Sequence, residues 1–139
     1  MEARRWIGTP YRHQASIMGA GTDCLGLVRG VWRGLIGAEP ESPPAYTEDW
    51  SEASGKEELL SAAERWLCRK EISSNDLGDV ILFRMRQTGV AKHLGLTSNR
   101  DGIATFIHSY TDHGVIETAF SAPWQRKVVA RFAFPQGVN

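Results

Sequence analysis

Cysteine is scarce in this chain: 139 residues carry two thiols, Cys24 and Cys68. One optional bridge is a poor framework for a domain of this length, so a disulfide scaffold is excluded and both are expected to be reduced. Net charge is missing as well, since 16 basic residues balance 16 acidic ones. A chain so balanced lacks the electrostatic footprint of a nucleic-acid or anionic-membrane binder, and neither is expected as a partner. No apolar run approaches the roughly 20 residues of a membrane-spanning helix. The charged start Met1-Glu2-Ala3-Arg4-Arg5-Trp6 is not followed by an apolar stretch, so no export signal is expected. Internal repeats and low-complexity tracts are absent too.

What is present is enough for a core. With 42% hydrophobic and 23% charged residues, one compact domain over residues 1–139 is expected, needing neither metal nor disulfide to fold. Residues 2–8 suggest a short helix that Thr9-Pro10 breaks, and a loop then runs to Thr22. From Asp23 on, Leu27, Val28, Val31, Trp32, Leu35 and Ile36 recur at three- and four-residue steps, the stripe of a buried amphipathic helix. Asp23 or Thr22 is its natural N-cap and Gly37 its stop. Residues 39–50, with Pro40, Pro43 and Pro44, should cross the surface extended. Residues 56–70 read as a second helix with Cys68 at its end. After Ser73-Ser74-Asn75-Asp76 the pattern turns to short strands at 80–83, 93–97, 103–108, 115–118 and 128–134. Helices first and strands later predict an α+β fold with an antiparallel sheet of five or six strands.

Cysteine attacks as thiolate, and an ordinary thiol is mostly protonated at neutral pH. Cys24 follows Gly19-Ala20-Gly21 and opens the predicted helix, where unpaired N–H groups and the helix dipole favour negative charge. The same N–H groups suit the oxyanion of a tetrahedral intermediate. The plainer reading is a small buried hydrophobe. For Cys68, at the wrong end of its helix, packing is the expected role.

Residues 93–108 read as strand, turn, strand. If the turn holds two residues (Arg100-Asp101) or four (99–102), opposed residue numbers sum to 201, and His93 faces His108 directly. An imidazole held at one ring nitrogen by a neutral partner is fixed in tautomer and aim, which suits a base and its orienter. Gly95, on the same face, would leave room for substrate or for the helix carrying Cys24. A slip of one residue would send the two histidines to opposite faces, and each alone reads equally as a structural residue. His13 could line a cleft; His113, in the turn Thr111-Asp112-His113-Gly114, should be solvated. Zinc on Cys24, His93 and His108 would lack the closely spaced ligand pairs usual in structural sites.

Four motifs now stand in series: Asp23-Cys24-Leu25-Gly26-Leu27-Val28, Gly78-Asp79-Val80-Ile81-Leu82-Phe83, His93-Leu94-Gly95-Leu96 and Phe106-Ile107-His108. In order and spacing they resemble the NlpC-type cell-wall cysteine peptidases, a papain-like family, over nearly the whole chain. The resemblance implies Cys24 as nucleophile at a helix N-terminus, His93 as general base and acid, and His108 as polar third member. It also implies Tyr11 near the oxyanion or substrate backbone and Asp23 as reader of a substrate amino group, with no metal or organic cofactor. Leu25 stands where the family usually has serine, one hydroxyl fewer beside the nucleophile. Asp23 has two possible tasks, cap and cation binding, and its charge would raise the neighbouring thiol's pKa unless the dipole and His93 outweigh it.

The implied substrate is a peptidoglycan stem peptide, cut between the side-chain carboxyl of D-glutamate and diaminopimelate. The longer stretch from Pro10-Tyr11-Arg12-His13 through Trp32, with Pro43-Pro44-Ala45-Tyr46 and Asp49-Trp50, is similar to the phage and gene-transfer-agent branch. That resemblance implies synthesis in the bacterial cytoplasm and association with a phage-like tail or baseplate that meets the cell wall from outside. Two other readings stay open: a catalytically idle structural module, and an acyltransferase or deamidase on the same scaffold.

Overall fold

A computed structural model describes residues 2–43, 45–47, 50 and 55–135. A 3-10 helix (Glu2–Trp6) leads into a two-stranded ribbon, β1 (Ser16–Ile17) and β2 (Gly21–Thr22), then α1 (Cys24–Leu35) and α2 (Glu58–Trp66). The rest is mainly sheet: β3 (Cys68–Lys70), β4 (Val80–Phe83), β5 (His93–Arg100), β6 (Ile103–Tyr110), β7 (Gly114–Ala119), a short α3 (Ala122–Gln125) and β8 (Val128–Ala133). Six strands form one antiparallel sheet in the order β3-β8-β4-β5-β6-β7, giving the expected α+β, papain-like layout. The expected surface crossing at 39–50 is described except for residues 44, 48 and 49, which lie outside the described residues; the rest of it adopts neither helix nor strand.

The predicted stripe of α1 is buried over its first half: Leu27, Val28 and Val31 pack with Trp6, Leu94, Leu96 and Ile107 in the main core, whereas Trp32 and Ile36 are half-buried and Leu35 is exposed. That face of the sheet covers β5 and β6 under the helix, and its burial drives the packing. Gly26 and Gly30 allow the closest approaches. A β-carbon on Gly26 would lie 1.9 Å from the carbonyl oxygen of Ala15, and one on Gly30 2.0 Å from the indole of Trp6. The other face of the sheet carries a separate aromatic layer of Ile81, Phe83 and Phe106, joined by Phe120 and Trp124. Strand alternation places His93, Gly95 and His108 on this second face, away from α1.

Several expectations change here. The second helix stops at Trp66, and Cys68 begins an edge strand paired with β8, its side chain exposed rather than packed. The cause is tertiary: the free edge of β8 offers hydrogen bonds that helical propensity alone cannot weigh. The loop to Thr22 contains the small ribbon, and α3 was not legible because a single turn has no periodicity to read. The Gly78-Asp79 motif proves to be a joint. Asp79, nearly buried, accepts from Arg131 Nε at 2.8 Å and Lys70 Nζ at 2.7 Å, while its N–H reaches Thr97 Oγ1 at 2.9 Å. The carboxylate thereby ties the start of β4 to β3 and β8, and the backbone N–H ties it to β5.

Candidate active site

The β5–β6 turn is Asp101-Gly102, both with positive φ (53° and 85°), the backbone of a two-residue type I′ hairpin. Paired residues therefore sum to 203, as in Leu96 with Ile107 and Arg100 with Ile103. The expected register of 201 is overturned: His93 and His108 are not directly opposed but one diagonal step apart. Because the shift is two residues, strand alternation still keeps them on one face, and a diagonal of roughly 7–8 Å is within reach of two aromatic rings. His93 Nε2 lies 2.7 Å from His108 Nδ1, and His108 Nε2 lies 2.8 Å from Thr118 Oγ1. The space beside Gly95 is taken by the rings of Phe106 and Phe83, not by α1 or an open channel.

Cys24 reaches this pair from the other side of the sheet. It is the first residue of α1, 9% exposed, with Sγ 3.8 Å from the carbonyl oxygen of Lys92, the residue before β5. At the N-terminal end of β5, Cys24 and His93 line one cleft of about 240 Å³ with Tyr11, Asp23, Tyr46 and Tyr110. Tyr11 is held there by a parallel bridge to Thr22. His13 also lines the cleft. His113 is exposed, as its turn predicted, and stacks on Tyr110 with centroids 5.4 Å apart.

Asp23 is the N-cap: its Oδ1 accepts from Gly26 N–H at 2.7 Å. The first-turn N–H groups of Cys24 and Leu25 lie instead at the thiol, where together with Leu94 they pull its pKa down. They do not win. Burial first and the Asp23 charge second push the Cys24 thiol up to about 12, outweighing the lowering by the backbone N–H groups that the helix start was expected to supply. Burial likewise lowers His93 to about 4 and, with neighbouring His93 and His113, His108 to about 3. Burial thus disfavours a lone thiolate and a lone imidazolium alike. Each charge alone is costly in this cleft, and the two become affordable only together.

Leu25 turns away from the chemistry. It lines a separate, mostly apolar hollow of about 600 Å³ between α1 and α2, with Val28, Trp32, Leu59 and Trp66. The larger cavity is thus not the one that holds the titratable groups. Trp50 lines both. Among the described residues no three His, Cys, Asp or Glu side chains gather as a metal-ligand set.

Residues 8–132 match the NlpC/P60 family. The chain belongs to the NlpC/P60 family. Curated relatives carry the description murein DD-endopeptidase MepS/murein LD-carboxypeptidase. In Escherichia coli strain K12, and equally in strains O6:H1 and O157:H7, they are 29% identical over 124 residues, covering 88% of this chain and 53% of the relative. This NlpC/P60 chain therefore spans about half the length of the curated relatives it matches. The motifs that carried the resemblance now have physical duties: helix start, sheet joint and paired imidazoles.

Sequence reasoning missed part of the cleft. Tyr110 was within reach, since it stands two residues beyond His108 on the same strand face, with its ring 5.6 Å from that of His93. For Tyr46 and Trp50 the sequence offered the branch resemblance but no strand-face signal and no site role. They belong to a proline-rich segment without periodicity, and only the fold carries them to Asp23.

Proposed function

We propose that this protein is a cysteine peptidase that hydrolyses amide bonds in the stem peptides of peptidoglycan, with Cys24 as nucleophile and His93 as base. The observation that carries the reading is the single cleft shared by Cys24 and His93, in which His93 Nε2 is held by His108 at 2.7 Å. Family membership and the murein-acting relatives support the substrate class.

The hydrogen-bond chain explains how the base works. When His93 takes the Cys24 proton, its Nε2–H must donate; His108 Nδ1 then accepts, and His108 Nε2–H donates to Thr118 Oγ1. That leaves Nδ1 of His93 as the atom that receives the proton from sulfur. Because burial and the Asp23 charge disfavour a lone thiolate, sulfur must hand its proton to His93 in order to attack the carbonyl. The N–H groups of Cys24 and Leu25 are the donors placed to hold the oxyanion, and Tyr11 borders the same space. His93 then protonates the leaving amine and activates the water that opens the thioester.

For the bond, the proposal is the one between the D-glutamate side-chain carboxyl and diaminopimelate. For the setting, it is a phage-like tail or gene transfer agent penetrating the wall, supported by the similarity carried by Pro10 through Trp32, Pro43-Pro44-Ala45-Tyr46 and Asp49-Trp50. Mass spectrometry of muropeptides released from purified peptidoglycan tests the reading. Release by the wild type and none by Cys24→Ala is expected; full release by Cys24→Ala would falsify it.

A further inference from the structure

Tyr110 closes β6 and lines the cleft. Strand alternation puts it on the face of His108, two residues back. Four rings surround its own: His108 at 5.2 Å between centroids, His93 at 5.6 Å, Trp124 at 5.9 Å and, stacked 26° from parallel, His113 at 5.4 Å. Its backbone is pinned as well. Tyr110 pairs with Gly114 across a turn that docks on the segment leading to Tyr11: Val115 N–H donates to the Thr9 carbonyl at 2.8 Å, and Gly8 N–H to the Val115 carbonyl at 3.0 Å. Gly114, at φ 73°, lies so close that a β-carbon there would stand 2.5 Å from the Thr9 oxygen.

None of these contacts uses the hydroxyl. Among the described residues it has no hydrogen-bond partner, and the half-buried side chain leaves it open to solvent. Other polar side chains on this part of the cleft are engaged or loosely held: Ser109 Oγ donates to the Thr22 carbonyl at 2.7 Å, Lys92 has an interaction of its own, and Thr111 is exposed on the turn. Tyr110 alone combines a spare donor with a ring that its neighbours hold still, which is what preorganised recognition requires.

Its place beside His93 says what it meets. In acylation the acyl half of the substrate stays on sulfur, and the amine departs with the proton that His93 hands over. Substituents of the leaving nitrogen therefore pass next to the imidazole on which Tyr110 packs. When that nitrogen is the α-amine of an amino acid, the next carbon carries a carboxylate or an amide carbonyl, whose oxygens only accept. A side-chain amine such as that of lysine has a bare methylene there.

Resting on the peptidase reading, we infer that Tyr110 is a specificity residue for the leaving group: its hydroxyl donates to the carboxylate or carbonyl oxygen carried by the carbon next to the leaving nitrogen. Bonds to an α-amino acid are thereby cut in preference to bonds to a plain side-chain amine.

The test takes the bond that mass spectrometry of the wild-type digest identifies and keeps its acyl part in two soluble substrates. In one the leaving amine is the natural amino acid; in the other it is the analogue with hydrogen in place of the adjacent carboxyl group. Wild type is expected to favour the first about tenfold in kcat/KM, and Tyr110→Phe, which keeps the ring and its packing, to remove most of that ratio by slowing the first substrate alone. His113→Ala takes away the stacking ring and should lower the ratio part-way. Deacylation is the readout that a packing defect would move. An activated ester of the same acyl part forms the same thioester, and its steady rate after the burst should be unchanged in Tyr110→Phe, because by then the amine has left. Circular dichroism checks each fold. A wild-type ratio near one overturns the inference while the peptidase reading stands. So does an unchanged ratio in the folded variants, or equal slowing of amide and ester. If wild type releases nothing from purified peptidoglycan, the peptidase reading itself falls and takes this one with it.

Discussion

His108 holds His93 across a diagonal of the β5–β6 hairpin, Nδ1 to Nε2 at 2.7 Å, while its own Nε2 is 2.8 Å from Thr118 Oγ1. The contact fixes which nitrogen of His93 faces sulfur, so its loss should be felt in turnover more than in binding. His108→Ala is expected to lower kcat about 10²-fold with little change in KM, within the range for positioned acid–base groups. His108→Gln, which keeps an acceptor, should retain more. Steady-state kinetics on a soluble muropeptide decide it, and equal kcat for the two variants would count against an orienting role.

Cys24 is nearly covered and its thiol sits at about 12, whereas Cys68 is exposed. Iodoacetamide at pH 7.5 should therefore modify Cys68 first in the substrate-free protein, the reverse of what a preformed thiolate would give. In Cys68→Ser, the alkylation rate of Cys24 should keep climbing with pH beyond 9. A plateau already reached by pH 6, followed by peptide mapping to Cys24, would mean that a stable thiolate–imidazolium pair exists at rest.

The two buried histidines make the fold sensitive to acid. Their folded-state pKa values, about 4 and about 3, lie below the ordinary 6.5, so the unfolded chain binds more protons between those limits. The stabilisation is fully present above pH 6.5 and is lost as pH falls through 4. Urea midpoints should drop steadily over this window, and the slope should be shallower in His108→Gln. An identical slope in the variant would assign the acid sensitivity to other groups.

Two glycines of α1 should respond oppositely to alanine. At Gly30 the new β-carbon would strike the buried Trp6 ring at 2.0 Å, and overpacking of roughly 1–3 kcal/mol or more outweighs the gain of about 1 kcal/mol in helix propensity. At Gly34 the nearest atoms, at 2.6 Å, are the end of the Glu2 side chain, which can swing aside, so the propensity gain should prevail. Thermal denaturation should show Gly30→Ala lowering Tm and Gly34→Ala leaving it equal or higher.

The buried start of the α1 stripe, the four long strands, and Cys24, His93 and His108 were legible in the sequence. A period of 3.6 with an acidic cap announces a helix whose first residue is Cys24, and a period of two keeps His93 and His108 on one face whether the hairpin sums to 201 or 203. These features are local, set by backbone geometry and by where apolar side chains must go. Tertiary structure alone decided the rest. The strand at Cys68 exists because β8 has an edge to pair with. The thiol's pKa rises because burial and Asp23 together outweigh the helix end. Tyr46 meets Asp23 because the proline-rich segment is drawn over the cleft by His13, Gln14 and Trp50. Each of these depends on desolvation or on contacts between residues far apart in the chain, and neither quantity is written in any short run of sequence.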